Sequence, residues 1–308
     1  MIAPVLVLAL LLDHLLGEPR RFHPLVGFGT WAAILERRFN RSTRPVQAVT
    51  RGVLAWLLAV LPVMLPLLLV YVIAGDFRWL LDVFLGYLCI ARCSLREHVW
   101  AVYQSLTAGD LQAARIAIGR IVSRETQTLD SPAVRRAAIE STLENGSDAI
   151  FAPLFWLALG GAPAVVFYRL VNTLDAMWGY RNQRYNYFGR VSARSDDLLN
   201  WAPARLTALS FAFLGQSTAA LQAWREQAPK CASPNAGPVM ASGAGALGVV
   251  IGGPAIYHGR EEDKPALGYG RTPGNDDLIK ALALLDRTLA LWCVVIAAIW
   301  LGWRFFHA

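Results

Sequence analysis

Residues 53–74 read VLAWLLAVLPVMLPLLLVYVIA and contain no charged side chain over 22 positions. An α-helix rises 1.5 Å per residue, so this stretch is long enough to cross a hydrocarbon core of about 30 Å. A buried core helix of a large soluble protein is the alternative, but the stretch is too long and too uniformly apolar to favour it. We therefore predict an integral membrane protein of the all-α class.

Apolar stretches on both sides of this segment predict further spans near residues 2–16, 79–93 and 289–306, and so a polytopic protein. The N-terminal stretch has no basic residue in front of it and no small-residue cleavage site. We interpret it as a retained helix rather than a signal peptide. Residues 17–51 carry seven Arg against two Glu. Because cytoplasmic loops are enriched in Lys and Arg, this segment is predicted to face the cytoplasm.

The apolar stretch 149–168 is interrupted in its middle by Gly160-Gly161-Ala162-Pro163. A single crossing here would place the Arg-rich residues 169–205 outside, against the positive-inside rule. A Gly/Pro break at membrane depth is typical of hairpins and discontinuous helices, so we predict that this stretch enters the membrane and returns. A second broken or re-entrant segment is predicted at 206–256. Residues 1–308 then form a single integral membrane domain with cytoplasmic loops at 17–51, 95–148 (expected to be helical), 169–205 and 257–288.

The chain carries a net charge of +7, and nearly all of its basic residues are Arg. A basic protein can bind nucleic acid, but these residues flank the apolar stretches, and membrane topology explains them better. No nucleic-acid partner is therefore expected. A Walker-type phosphate loop is absent from the sequence. The cysteines show no metal-binding spacing; they are Cys89, Cys93, Cys231 and Cys293.

The first concentration of polar residues lies within 124–148. Glu140 and Glu144 are four residues apart and share one face of a helix, where two carboxylates repel each other unless a positive group lies between them. With Asn145 and Asp148 they form an acidic surface that suits Mg²⁺, a cation that takes carboxylate and phosphate oxygens together. The alternative is a solvated helix face whose carboxylates pair with nearby Arg.

A second concentration lies in residues 172–205, where Asp and Asn are interleaved with Arg. The pair Asp196-Asp197 follows Arg194, which indicates metal and phosphate binding because a planar guanidinium donates two parallel hydrogen bonds to a phosphate. The alternative is a basic juxtamembrane stretch bound to anionic lipid. That alternative predicts clusters of Lys and Arg without interleaved Asp and Asn.

Two shorter motifs complete the inventory. Residues 233–237 read SPNAG, a rigid turn whose successive N–H groups are able to form an anion-binding nest, with a plain turn as the alternative. His23 precedes Pro24 in a loop, where a structural role is the alternative to contact with a substrate.

Together these motifs resemble those of the membrane-bound adenosylcobinamide-phosphate synthase family of cobalamin biosynthesis, the CobD/CbiB family. Two departures stand out: Arg124-Glu125-Thr126 replaces the Arg-Asp-Thr that the family often has, and Pro238 follows Asn-Ala-Gly near a position where many members are acidic. The matching residues run in order along nearly the whole chain: Gly17-Glu18-Pro19, His23-Pro24, Arg124 to Thr126, Glu140 to Asp148, Gly160 to Pro163, Asn172 to Asp175, Gly179 to Asn182, Asp196-Asp197, Asn200, Arg205 and Ser233 to Gly237.

The resemblance implies an ATP-dependent amide ligase in a bacterial cytoplasmic (inner) membrane. The Arg bias of residues 17–51 predicts that its active site faces the cytoplasm. Such an enzyme joins a carboxylate of a corrinoid, adenosylcobyric acid, to the amine of (R)-1-amino-2-propanol phosphate. ATP and Mg²⁺ are the implied cofactors, because activating a carboxylate through phosphate requires cations that neutralise phosphate charge. The preferred amino alcohol phosphate and the oligomeric state, including a homo-oligomer, are left open.

Roles for individual residues follow from their chemistry and not from the family name. We predict catalytic roles for Glu140, Glu144, Asp196 and Asp197. Mg²⁺ is expected to bind Glu144, Asn145, Asp148 and Asp197. The nucleotide phosphates are expected to bind Arg124, Arg181, Arg194, Arg205, Ser233 and Asn235. The substrate is expected to contact His23, Asn172, Asp175, Tyr180 and Asn182.

Two other functions are compatible with a membrane protein of this composition. One is a non-catalytic membrane sensor of the same fold, which the retention of nearly every polar motif disfavours. The other is a corrinoid transporter, which the Gly/Pro-broken apolar segments suggest. Transporters usually bury charge within their spans, whereas the charge here lies in the predicted loops.

Overall fold

The structure, a computed structural model, describes residues 2–19, 23–42, 44–257 and 260–307. Helices dominate these residues and one β-hairpin accompanies them. The α-helices are α1 (Ile2–Leu16), α2 (Pro24–Phe39), α3 (Pro45–Ile73), α4 (Arg78–Cys89), α5 (Arg92–Thr107), α6 (Leu111–Ile118), α7 (Ser131–Gly146), α8 (Ala152–Trp178), α9 (Arg190–Leu214), α10 (Ser217–Gln227), α11 (Ala236–Leu247) and α12 (Asp276–His307). The strands are β1 (Ile251–Tyr257) and β2 (Arg260–Leu267), and short 3₁₀ or π turns lie at Gly75–Phe77, Ser147–Phe151 and Ala228–Lys230.

Three segments among the described residues are helical, long and apolar enough to cross a membrane: Pro45–Ile73, Ser131–Trp178 and Asp276–Phe306. The first and last contain the predicted spans 53–74 and 289–306 almost completely. The prediction of an all-α membrane protein is therefore confirmed. The antiparallel hairpin of β1 and β2 is an addition that the sequence did not indicate.

The two shorter predicted spans also coincide with helices, but with different lengths. Helix α1 covers the predicted 2–16, whereas α4 ends at Cys89 and not at residue 93, because Ile90 adopts an extended backbone (φ −92°, ψ 134°). The 12 residues of α4 rise only about 18 Å, less than a hydrocarbon core. Their crossing of a membrane stays a prediction.

Helix α8 is broken where the sequence has its Gly/Pro motif. Gly161 has φ 62° and ψ −154°, a conformation that suits glycine, and Pro163 follows within the helix. The N–H of Ala162, freed by the break, donates to Oδ1 of Asp82 on α4 at 2.6 Å. A carboxylate therefore caps the second half of α8. The return of this segment to the same membrane face stays a prediction.

The chain forms two compact units that alternate along the sequence. Unit 1 comprises Met1–Ala91 and Ala152–Asn200, and unit 2 comprises Arg92–Phe151 and Trp201–Ala308. Within unit 1, α2, α3 and α8 pack around a buried cluster that contains Phe28, Trp178 and Phe188. Trp178 ends α8, and its ring packs edge-on against that of Phe188 in the loop that follows.

Unit 2 is built around α7, which packs against α5, α6, α11 and α12. Gly243 of α11 lies directly against Leu143 of α7, and Gly146 lies against Leu285 of α12, so that larger residues at either glycine would collide with these side chains. As a result α7 is buried on most of its surface, including the polar side chains of Glu140 and Thr142. The solvated helix face considered as an alternative for Glu140 is therefore wrong.

Candidate functional site

The first polar cluster, in unit 2, is centred on Glu140 of α7. One of its carboxylate oxygens accepts a hydrogen bond from the N–H of Gly252 at 2.8 Å, and the other forms an ion pair with Arg124. The side chains of Arg124 and Glu140 are only 7% and 4% exposed. Both oxygens are thus engaged within the protein, which favours a positioning role for this pair over contact with a substrate or a phosphate.

Strand β1, which contacts Glu140 through Gly252, is irregular at that glycine. The strand register shifts between Ile251 and Gly253, Gly252 has φ +87°, and a Cβ there would collide with the carbonyl oxygen of Pro265. This bulge turns the N–H of Gly252 out of the ladder and toward Glu140. Lys264 on β2 pairs with Gly253. Neither the hairpin nor Lys264 was identified from the sequence, because a Gly-Gly-Pro stretch followed by charges lacks strand alternation.

The other residues of the predicted acidic surface, Glu144, Asn145 and Asp148, are half-buried. Asn145 donates from Nδ2 to the backbone oxygen and to Oγ of Ser141, both at 2.9 Å. Glu144 interacts electrostatically with Lys264 and with Glu140. Asp148 lies in the π-helical turn Ser147–Phe151, a rare geometry that recurs at functional sites.

Three residues that the sequence grouped as phosphate-binding are in contact within unit 2. Nη1 of Arg205 donates to Oδ1 of Asn235 at 3.0 Å, and its guanidinium lies 4.6 Å from the ring centre of Trp201. Oγ of Ser233 accepts hydrogen bonds from the N–H groups of Asn235 and Ala236 at 3.3 and 3.1 Å. These bonds fix the 233–237 turn at the start of α11. Burial lowers the pKa of Arg205.

The second polar cluster, in unit 1, is centred on Asp196 of α9, which is 9% exposed. Its two oxygens accept from Nδ2 of Asn172 at 3.1 Å and from Nδ2 of Asn200 at 3.0 Å. The hydroxyl of Tyr168 donates to Oδ1 of Asn200 at 3.0 Å, and Nη1 of Arg169 donates to Oδ1 of Asn172 at 3.3 Å. A continuous chain of hydrogen bonds therefore runs from α8 through Asp196.

Both acids of the Asp196-Asp197 pair hold their protons more tightly than usual. Burial raises the pKa of Asp196, the amides of Asn172 and Asn200 oppose this rise, and the charge of Asp197 adds to it. Burial also raises the pKa of Asp197, opposed by the positive charges of Arg194 and Arg181. The predicted phosphate-binding Arg181 and Arg194 are exposed and act electrostatically on Asp197.

The remaining predicted substrate contacts of unit 1 lie at the end of α8 and in the loop that follows it. Tyr180 is 44% exposed and Asn182 is also exposed, with Oδ1 of Asn182 accepting from the N–H groups of Arg184 and Tyr185. Asp175 is half-buried at the end of α8, close to Gly179. Asn182 thus shapes the turn, while Tyr180 lies at its surface.

Sequence reasoning missed a pairing that holds this loop. Nε and Nη2 of Arg184 donate to the two oxygens of Glu36 on α2, both at 3.0 Å, and Asn40 also donates to Glu36. Glu36 and Arg184 are 148 positions apart, so no local spacing could have revealed the pair.

His23 caps the first turn of α2, since its Nδ1 accepts from the N–H of Leu25 at 3.2 Å. Burial lowers its pKa, Glu18 opposes this, and Arg169 adds to it. His23 and Arg169 line one cavity of about 450 Å³ that is otherwise mainly apolar. The structure thus shows His23 as a helix cap, and the contact of His23 with substrate stays a prediction.

Within the described part of the chain, no group of three or more His, Cys, Asp or Glu side chains is arranged to hold a metal ion. Three of the four predicted Mg²⁺ ligands, Glu144, Asn145 and Asp148, belong to unit 2, and Asp197 belongs to unit 1. Mg²⁺ commonly binds through one or two carboxylates together with substrate phosphates. Within unit 2, the half-buried carboxylates of Glu144 and Asp148 fit this mode and not an all-protein cage.

Comparison with known proteins identifies the family. Residues 6–285 match the sequence model of the CobD/Cbib protein family. A cobalamin biosynthesis protein CobD from Stutzerimonas stutzeri (strain A1501) is 52% identical over 297 residues, covering 96% of this chain and 97% of the relative. The protein of that name from Chromobacterium violaceum is 49% identical over 302 residues, with 96% and 97% covered. The one from Mycobacterium tuberculosis H37Rv is 37% identical over 292 residues, with 93% and 92% covered. No solved structure matches the chain. From its first helix into its last, the chain is therefore a member of the CobD/CbiB family.

Proposed function

We propose that this protein acts in cobalamin biosynthesis as an ATP-dependent amide ligase that joins adenosylcobyric acid to (R)-1-amino-2-propanol phosphate. The observation that carries the proposal is the family match over residues 6–285, together with relatives named for cobalamin biosynthesis. A corrinoid, an amino alcohol phosphate and a lipid bilayer are then its partners, and Mg²⁺ accompanies the nucleotide.

The proposed reaction balances in two steps. A carboxylate oxygen of the corrinoid attacks the terminal phosphorus of ATP, and ADP leaves with the electrons of the broken P–O bond. The amine nitrogen then attacks the activated carbonyl carbon, phosphate leaves, and one proton of the amine passes to a base. The protein need not supply a nucleophile, which is consistent with clusters composed of carboxylates, amides and guanidinium groups.

The contacts support separate roles for the acids. Asp197 is half-buried, its pKa is raised, and Arg181 and Arg194 act on it electrostatically, so we assign it the proton-accepting role beside a phosphate. Asp196, with both oxygens bound by amides, positions Asn172 for the substrate. Glu144 and Asp148 would hold Mg²⁺, which neutralises phosphate charge when bound.

A coupling assay tests the function directly. Purified protein with Mg·ATP, adenosylcobyric acid and aminopropanol phosphate is expected to yield the amide, detected by its mass, and no amide without ATP or without the amine. Asp197→Ala is expected to abolish turnover, whereas Asp76→Ala, an exposed acid in the turn Gly75–Phe77, retains it.

The outcomes also separate the rival functions. No amide with all components present would contradict the proposal and favour a membrane sensor. Corrinoid uptake into sealed vesicles without amide formation would favour a transporter. Normal turnover by Asp197→Ala would remove this residue from the catalytic set while leaving the ligase function intact.

The proposed location is the bacterial inner membrane with both clusters reached from the cytoplasm. Its support is the Arg bias of residues 17–51 and 169–205. A cysteine introduced at Arg190, which is exposed at the start of α9, is expected to resist an impermeant thiol reagent in intact cells and to react after lysis. Ready labelling in intact cells would overturn this orientation.

A further inference from the structure

Lys264 is held at a fixed position beside the acidic face of α7. It pairs with Gly253 on β1, and the neighbouring Gly252 donates its N–H to Glu140 at 2.8 Å. Strand β1 is therefore attached to α7 through Gly252, the residue next to the strand partner of Lys264. Because Glu140 in turn holds Arg124, the loop 119–130, α7 and the hairpin are joined through one carboxylate.

Arg124 and Lys264 are held differently in this cluster. The guanidinium of Arg124 is buried and committed to Glu140. Lys264 is half-buried and interacts electrostatically with Glu144 and with Cys231. Burial raises the pKa of Cys231, Lys264 opposes this rise, and Glu144 and Glu140 add to it. Lys264, Glu144 and Cys231 thus lie within electrostatic reach of one another.

An ammonium beside a carboxylate suits a phosphate ester whose charge is shared with a divalent cation. A Lys ammonium has three donors on a flexible stem and is able to follow a phosphate oxygen, whereas an Arg committed to a buried carboxylate is not. Glu144 is one of the carboxylates that would hold Mg²⁺ in the proposed function. Lys264 and a Mg²⁺ ion held by Glu144 would then neutralise one phosphate group from two sides.

We propose that Lys264 is the phosphate-binding cation of the unit 2 cluster and that Arg124, predicted for this role from the sequence, positions the hairpin that carries it. The inference rests on the proposed ligase function for the identity of the ligand. A phosphate ester oxygen is the shared chemistry, and it comes from either aminopropanol phosphate or ATP.

Chemical labelling tests binding without requiring turnover. The chain contains three lysines, Lys230, Lys264 and Lys280, so brief acetylation of the full-length protein in detergent reports on each by mass spectrometry. With Mg²⁺ present, 2-propyl phosphate or a non-hydrolysable ATP analogue is expected to slow acetylation of Lys264 about tenfold, as expected for a charge-assisted contact. The exposed Lys230 and Lys280 serve as internal controls.

The arms of this experiment distinguish the two sources of phosphate. Protection by 2-propyl phosphate alone assigns Lys264 to the amino alcohol phosphate, and protection by the nucleotide alone assigns it to ATP. Propan-2-ol, which lacks the phosphate, should give no protection. Equal acetylation of Lys264 in all arms, or equal protection of all three lysines, would overturn the proposal.

Kinetics provide the second test. Lys264→Met is expected to raise the KM of one phosphorylated substrate by about tenfold, with Lys264→Arg restoring part of the loss and Lys230→Met having no effect. If the amino alcohol phosphate is the ligand, Lys264→Met should also lose the preference for it over unphosphorylated aminopropanol. Wild-type kinetics in Lys264→Met would contradict the inference. Absence of amide formation by the wild-type protein would contradict the ligase function instead, and the labelling result would then decide the phosphate site alone.

Discussion

Asp196 in unit 1 and Glu140 in unit 2 are both buried carboxylates with both oxygens engaged, but their partners differ. Asp196 accepts from two neutral amides, whereas Glu140 faces the guanidinium of Arg124 and one backbone N–H. A buried carboxylate paired with a cation has its charge compensated in place. The carboxylate of Asp196 is held by neutral amides and has no opposite charge bonded to it, and burial raises its pKa. We infer that Glu140 holds Arg124 and the β-hairpin in place and that Asp196 belongs to a cluster able to exchange protons.

The largest expected effect comes from breaking the Glu140 ion pair. Glu140→Leu removes the buried carboxylate that forms an ion pair with Arg124 and should lower the free energy of unfolding by about 3–5 kcal/mol. The double variant Arg124→Leu/Glu140→Leu should be more stable than Glu140→Leu alone, since it removes both members of the ion pair together. Unfolding in detergent of the wild type, both single variants and the double variant measures this coupling. Additive effects would show that the two side chains do not stabilise each other.

The next effect concerns the backbone partner of Glu140. Gly252→Ala places a Cβ on a residue with φ +87° and against the carbonyl oxygen of Pro265, so it should destabilise the protein by about 2–4 kcal/mol. Gly253→Ala is a matched control, because Gly253 has φ +95° but an added Cβ there meets no atom within 4 Å. Thermal unfolding should show a clearly larger loss for Gly252→Ala. Equal losses of stability in the two variants would mean that the positive φ, and not the collision with Pro265, determines the cost of a side chain at this bulge.

A smaller effect is expected in the Asp196 cluster. Tyr168→Phe removes the donor to Oδ1 of the buried Asn200 and should cost about 1–2 kcal/mol of unfolding free energy. Tyr71→Phe, also in unit 1, is the matched control, since the Tyr71 hydroxyl donates to Asp82 over a longer distance of 3.3 Å and is only partly buried. Chemical unfolding of both variants in detergent measures the difference. A larger loss in Tyr71→Phe than in Tyr168→Phe would contradict the importance of the Asp196 chain.

The smallest effect is a change in pH dependence. Because the pKa of Asp196 is raised above the ordinary value of 3.8, the folded protein holds this proton more tightly than the unfolded chain. The resulting stability is complete below the ordinary value and is lost as the pH rises through the raised pKa. Between about pH 4 and pH 7, the melting temperature of Asp196→Asn should therefore fall less than that of the wild type. Parallel profiles would mean that Asp196 does not titrate differently on folding.

Several features of the molecule were predictable from the sequence because they depend on local composition. The uncharged run within α3 and the break at Gly161 follow from hydropathy and from backbone restrictions at Gly and Pro. The sequence also placed Asn172 and Asp196 in one polar stretch and assigned Arg205 and Asn235 to the same phosphates, and the members of each pair are hydrogen-bonded to each other.

Other features depend on tertiary contacts that spacing does not encode. Glu140 and Glu144 share a helical face and were given similar roles, yet Glu140 is bonded to Gly252, which lies 112 positions away. The burial of α7 was missed because its polar side chains suggest a solvated surface until the surrounding helices are known. Lys264 escaped notice because its significance depends on the strand register.

The alternation of the two units along the chain sets an order for synthesis. Helix α7 is completed at Gly146, but its neighbour α11 begins only at Ala236, about 90 residues later. At roughly 5–20 residues per second, about 5–20 seconds pass between completion of α7, which carries Glu140, and the start of α11. Unit 1, in contrast, is complete once Asn200 has been made. Unit 2 therefore stays unfinished after unit 1 is finished, and truncation of the chain after Asn200 would remove part of unit 2 only.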